Sequence, residues 1–86
     1  MSSTIMEEEL RRALDGDSEV ADRGWRILAG PSGGIILERG GAERGHWRWR
    51  NGLFELESAS GATIAGVETV AEALSVTRRW DGEPAS

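Results

Sequence analysis

The chain contains no cysteine, lysine, tyrosine or glutamine, and a single histidine. Without cysteine neither a disulfide nor a thiolate metal site can form, so a reducing, cytoplasmic setting is expected. With Lys and Tyr also missing, the repertoire of nucleophiles and proton donors is narrow, and no enzyme is expected. No apolar run approaches the roughly 18 residues of a membrane span. The opening Met1-Ser2-Ser3-Thr4, followed by Glu7-Glu8-Glu9, lacks the basic start and apolar stretch of a secretory signal. Every cation apart from the histidine is an arginine, a planar fork suited to carboxylate, phosphate or aromatic partners.

What is present suffices for one modest core. Eighty-six residues with 38% hydrophobic content and four Trp predict a single α+β domain over residues 1–80, followed by a disordered tail over residues 81–86. The charge is uneven. Residues 1–22 hold seven acids against Arg11 and Arg12, a net of −5, whereas residues 23–86 hold eight acids and eight Arg. The whole net charge therefore sits on the first quarter of the chain.

The stretch from His46 to Glu57 predicts a β-hairpin with a definite register. Asn51-Gly52 suits a type I′ turn, which needs positive φ at both central residues. Closing it there pairs Arg50 with Leu53, Trp49 with Phe54, Arg48 with Glu55, Trp47 with Leu56 and His46 with Glu57. Large apolar residues then share one face and opposite charges the other, which a one-residue slip would destroy. Upstream, residues 25–29 and 35–39 form a second hairpin around Pro31-Ser32-Gly33, pairing Ala29 with Ile35, Leu28 with Ile36, Ile27 with Leu37 and Arg26 with Glu38. Residues 40–45 are expected to be a mobile, glycine-rich loop. The product is a four-stranded antiparallel meander with Ile27, Leu37, Trp47, Trp49, Phe54 and Leu56 on its buried face. A fifth strand near Ala62-Thr63-Ile64 is a further option, and the expected edges are residues 25–29 and 53–57.

A helix is predicted at each end. Over residues 4–15, Met6, Leu10, Ala13 and Leu14 form one apolar stripe, Thr4 and Glu7 a capping box, and Glu7–Arg11 and Glu8–Arg12 favourable ion pairs. Residues 19–24 read as a loop or a short extra turn. Over residues 70–80, Thr69 and Glu72 form a second capping box, and the helix packs on the Trp-bearing sheet face through Val70, Ala73, Leu74 and Thr77.

Catalytic and cofactor chemistry finds little support. His46 lies opposite Glu57 as a cross-strand pair, and carboxylates paired with Arg or His are held ionised, the reverse of what a general acid needs. Asp15-Gly16-Asp17-Ser18-Glu19 begins like a calcium loop, but Val20 and Arg26 stand where the turn glycine and bidentate glutamate belong. Residues 29–34 are glycine-rich yet join two strands and lack the lysine of a phosphate loop. No metal and no cofactor are expected.

Two binding readings remain. Arg48 and Arg50, interleaved with Trp47 and Trp49, and Arg78 and Arg79 at the end of the last helix, suggest a nucleic-acid contact. A three-stranded sheet followed by a helix resembles the arm-type DNA-binding domains of integrases. The run Glu68-Thr69-Val70-Ala71-Glu72-Ala73-Leu74, following strands, loosely resembles the partial ribonuclease-H-like fold of HicB antitoxins. Against this reading stand the net charge and an alternation that turns the Trp rings inward. The leading expectation is a non-catalytic module whose Glu7, Glu8, Asp15, Asp17, Glu19 and Asp22 meet a protein partner with a basic surface. In size and charge the chain is similar to phage anti-CRISPR proteins, antitoxins and immunity proteins, which implies inhibition or regulation by occlusion. The outer-face row Leu28, Ile36, Arg50 and Leu53 offers, separately, a homodimer patch or the bed for the N-terminal helix, and a plain structural homo-oligomerisation module is a third reading.

Overall fold

The computed structural model describes the backbone of residues 3–82 and side chains from residue 5 onward. Helix α1 (Ser3–Asp15) and a short helix α2 (Ser18–Asp22) precede five strands and a last helix. The strands are β1 (Arg26–Ala29), β2 (Ile35–Arg39), β3 (Ala42–Arg50), β4 (Leu53–Ser58) and β5 (Thr63–Val67), and helix α3 (Val70–Arg79) follows. The sheet is an antiparallel meander in the order β1-β2-β3-β4-β5.

Both hairpins expected from the sequence adopt the derived registers. At the β3–β4 turn Asn51 (φ 53°) and Gly52 (φ 77°) take the left-handed conformation that the turn type demands.

Three features differ from the expectation. The sheet has five strands, not four: β5 adds Val67 opposite Phe54 and Ala65 opposite Leu56, extending the apolar face, with a bulge at Leu56/Glu57. The edges are consequently β1 and β5, and residues 53–57 lie inside the sheet. The expected glycine-rich loop at residues 40–45 is instead a tight turn. Gly40 (φ 64°) and Gly41 (φ 80°) reverse the chain within two residues because neither carries a Cβ to oppose a positive φ. Strand β3 thus starts at Ala42, and a bulge at Leu37/Glu38 absorbs the extra residue.

All three helices cover the same face of the sheet. Ile35, Leu37, Trp47, Phe54 and Leu56 project from that face and are buried against Leu10 and Leu14 of α1, Val20 of α2 and Ala73 of α3. Trp49 is half-buried at the margin of this core, edge-on to Phe54 at 4.6 Å between ring centres. The Trp47 indole N–H donates to Thr77 Oγ1 (2.9 Å), whose hydroxyl donates to the Ala73 carbonyl (2.8 Å). At the start of α3, Thr69 Oγ1 accepts from the Glu72 amide (3.1 Å), which is the expected N-cap, and its hydroxyl donates to the Glu72 carboxylate (3.0 Å) in place of the backbone N–H that a full capping box would use. The Thr4 side chain of the other expected cap lies outside the described residues.

A second aromatic cluster closes the end of the domain. Trp25 and Trp80 stack with ring centres 5.4 Å apart and planes within 9°, and the Arg39 guanidinium lies 4.0 Å over Trp25. Gly45 makes room for this stack, since a Cβ there would sit 2.7 Å from the Trp80 ring. Arg39 Nη1 also donates to the Asp81 carbonyl (2.8 Å), and Gly82 is buried. Residues 81 and 82, expected in the tail, are therefore packed on the domain, and residues 83–86 lie outside the described residues.

Candidate functional site

The six acids singled out in the sequence serve three different purposes. Glu7 points into the fold. Its Oε1 accepts from the Gly34 amide (2.9 Å) and its Oε2 from the Trp49 amide (3.0 Å), tying α1 to the β1–β2 loop and to β3. The expected Glu7–Arg11 pair is accordingly not formed. Arg11 instead grips Glu8 through Nη2 (2.5 Å) and Nε (3.0 Å), and Arg12 reaches the same carboxylate at 3.4 Å. Arg11, foremost by its hydrogen bond, holds the Glu8 carboxyl below the ordinary glutamate range.

Asp17 is structural as well. It is the N-cap of α2, with Oδ1 accepting from the Val20 amide at 3.0 Å. Arg78 of α3 grips both of its oxygens, through Nε (3.3 Å) and through Nη2. The Arg78 hydrogen bond, and then the Val20 amide, depress the Asp17 carboxyl below its ordinary value, and Arg78 is raised in return. The local pattern Asp17-Ser18-Glu19-Val20 is a legible N-cap signal, but the partner 61 residues away is not.

Asp15, Glu19 and Asp22 remain, joined by Glu9, which sequence reasoning passed over. All four are exposed and make no hydrogen bond or ion pair among the described residues. Glu9 and Asp15 stand on α1, about 120° apart around its axis, and Glu19 and Asp22 stand on α2. Beside them, where the end of α1 and α2 approach β1, a depression of about 270 Å³ is lined by Leu14, Asp15, Val20, Ala21, Ile27 and Leu28, among others.

The four candidate nucleic-acid arginines are not brought together. Arg48 and Arg50 project from the open face of the sheet, whereas Arg78 and Arg79 end α3 on the opposite, helix-covered side. Arg50 pairs diagonally with Glu55 (3.8 Å), Arg78 with Asp17, and Arg79 donates to the Ser75 carbonyl (3.3 Å). Arg48 has no ion pair among the described residues.

The open face also carries the row expected from the sequence, but it is not the bed of the N-terminal helix, whose Leu10 and Leu14 pack on the Trp47 face instead. Leu28 lies opposite Ile36 and Arg50 opposite Leu53, all but Arg50 half-buried by their neighbours. His46 stands between Glu57 (Nε2–Oε1, 3.1 Å) and Glu43 (Nδ1–Oε2, 3.8 Å), and Arg26 meets Glu38 at 3.4 Å.

No family model, no curated protein and no solved structure matches the chain. The fold itself defines a small α+β unit: a five-stranded antiparallel meander with helices on one face. Among its described residues no helix is long and apolar enough to cross a membrane.

Proposed function

We propose that this protein is a non-catalytic binding module whose α1–α2 surface docks on a basic surface of a partner protein and occludes it. The observation that carries this reading is the quartet Glu9, Asp15, Glu19 and Asp22, four exposed residues whose carboxylates make no hydrogen bond or ion pair among the described residues. Glu7 and Asp17 hold the helices in place and leave the quartet to face outward. Exposed carboxylates on adjacent helices raise the local concentration of a cationic partner and speed its encounter, an effect that salt screens. A partner surface that normally holds nucleic acid fits this charge.

The test uses a labelled nine-residue arginine peptide as probe. Reversing the quartet (Glu9→Arg, Asp15→Arg, Glu19→Arg, Asp22→Arg) should weaken binding by about tenfold or more. Reversing two acids elsewhere (Glu43→Arg, Glu68→Arg) should change it by about twofold or less. Equal losses in the two variants, or unchanged affinity in the first, would overturn the proposal.

A further inference from the structure

Strand β1 is an open edge with usable main-chain groups. The Gly30 amide donates to the Gly34 carbonyl (3.0 Å), a single bond, since the Gly34 amide goes to Glu7 (2.9 Å), but one that sets the hydrogen-bonding phase of the β1–β2 ladder. In an antiparallel ladder such pairs alternate, so Leu28–Ile36 and Arg26–Glu38 bond inward. The amide and carbonyl groups of Ile27 and Ala29 then face away from β2. Strand β1 runs in unbroken register with β2, while the other edge strand, β5, is distorted by its bulge. An edge strand with outward-facing main-chain groups is a template for another strand.

The depression of about 270 Å³ lies alongside that edge. Leu14, Val20, Trp25 and Ile27 give it an apolar lining with room for one aliphatic side chain; Asp15 also lines it, as does Arg26, whose guanidinium is engaged by Glu38 (3.4 Å). A strand laid against β1 alternates its side chains between the helix side and the open side of the sheet. On the helix side one residue enters the depression, and a residue two positions away on the same side comes within reach of Asp15.

We propose that the β1 edge takes an extended peptide segment as a sixth strand, with an aliphatic residue in the depression and Arg or Lys two positions away. Main-chain bonds to Ile27 and Ala29 supply sequence-independent affinity, and the depression and Asp15 select the sequence. This rests on the reading that the partner is basic, and it names how the partner is held.

The experiment titrates ¹⁵N-labelled protein with the acetylated, amidated peptide Arg-Thr-Leu-Thr-Arg. Amide hydrogen exchange at Ile27 and Ala29 should slow by about tenfold or more at saturation, while Leu28, already bonded to β2, changes little. N-methylation of the peptide's leucine amide removes one main-chain donor and should weaken binding by about tenfold. Ala29→Pro deletes an outward-facing donor at an edge position that tolerates proline, and should weaken binding similarly. Unchanged exchange at Ile27 and Ala29 overturns the proposal in the unmodified protein, whatever the proline variant does to folding. If N-methylation is without effect while quartet reversal still weakens binding, strand addition falls and the charged-surface reading stands. If neither change matters, both fall.

Discussion

Thr77 shows how much a single hydroxyl decides in this core. It is fully buried, receives the Trp47 indole proton and passes its own to Ala73 of the preceding turn. Replacing it with the isosteric Val keeps the volume and removes both bonds, leaving a buried indole N–H with no acceptor. Thr77→Val should destabilise the protein by about 1–3 kcal/mol in urea unfolding, and Thr77→Ser by clearly less. Equal losses would mean that packing, not the hydrogen bond, sets the cost. The helical period places Thr77 on the inward face, but the sequence contains nothing that pairs it with an indole 30 residues earlier. Trp25 is the opposite case: its Nε1 is buried without a hydrogen-bond partner among the described residues, and its ring is held by Trp80 and Arg39 instead.

Among the elements, the two hairpins were readable and their surroundings were not. Asn51-Gly52 permits one turn, and period-two alternation then leaves one register that keeps the Trp residues away from the acids. The six residues from Gly40 to Gly45 contain three glycines and allow several reversals; the one adopted depends on the bulge at Leu37/Glu38 and on the space Trp80 needs over Gly45. The placement of α1 is likewise non-local. Glu7 reads as one more acid on a solvated helix, yet it bridges two strand-end amides 27 and 42 residues away. Glu7→Ala leaves both amides without their carboxylate and should cost about 1.5–3 kcal/mol in chemical denaturation. Glu9→Ala, which breaks no contact among the described residues, should stay within about 0.5 kcal/mol. Similar losses at the two positions would refute the tether.

For the molecule as a whole, composition sets the charge and packing decides which charges are available outside. Folding commits Asp17 to Arg78 and α2, and the carboxyl's affinity for protons falls below its ordinary value. A depressed folded value stabilises the native state above the ordinary aspartate range, about pH 4 and upward, and that stabilisation is lost as pH drops through the folded value. Asp17→Asn keeps a competent helix cap and removes the charge. The variant should be less stable than the parent at about pH 7, and the gap should narrow toward about pH 3. A gap of constant size across that range would show that the cap, and not the ion pair, is what Asp17 contributes.

From the sequence alone come the α+β class, the helix at each end, both hairpin registers, the cap at Thr69 and the excess of acid in the first quarter. These rest on chemistry within a few residues: turn preferences, alternation, helical period and capping. Only the tertiary structure decided that β5 completes the sheet and takes the second edge from residues 53–57, and that Glu7 and Asp17 turn inward while Glu9 stays out. Those outcomes depend on contacts between groups tens of residues apart. A carboxylate's sequence neighbours do not reveal whether a distant amide or guanidinium will be waiting for it.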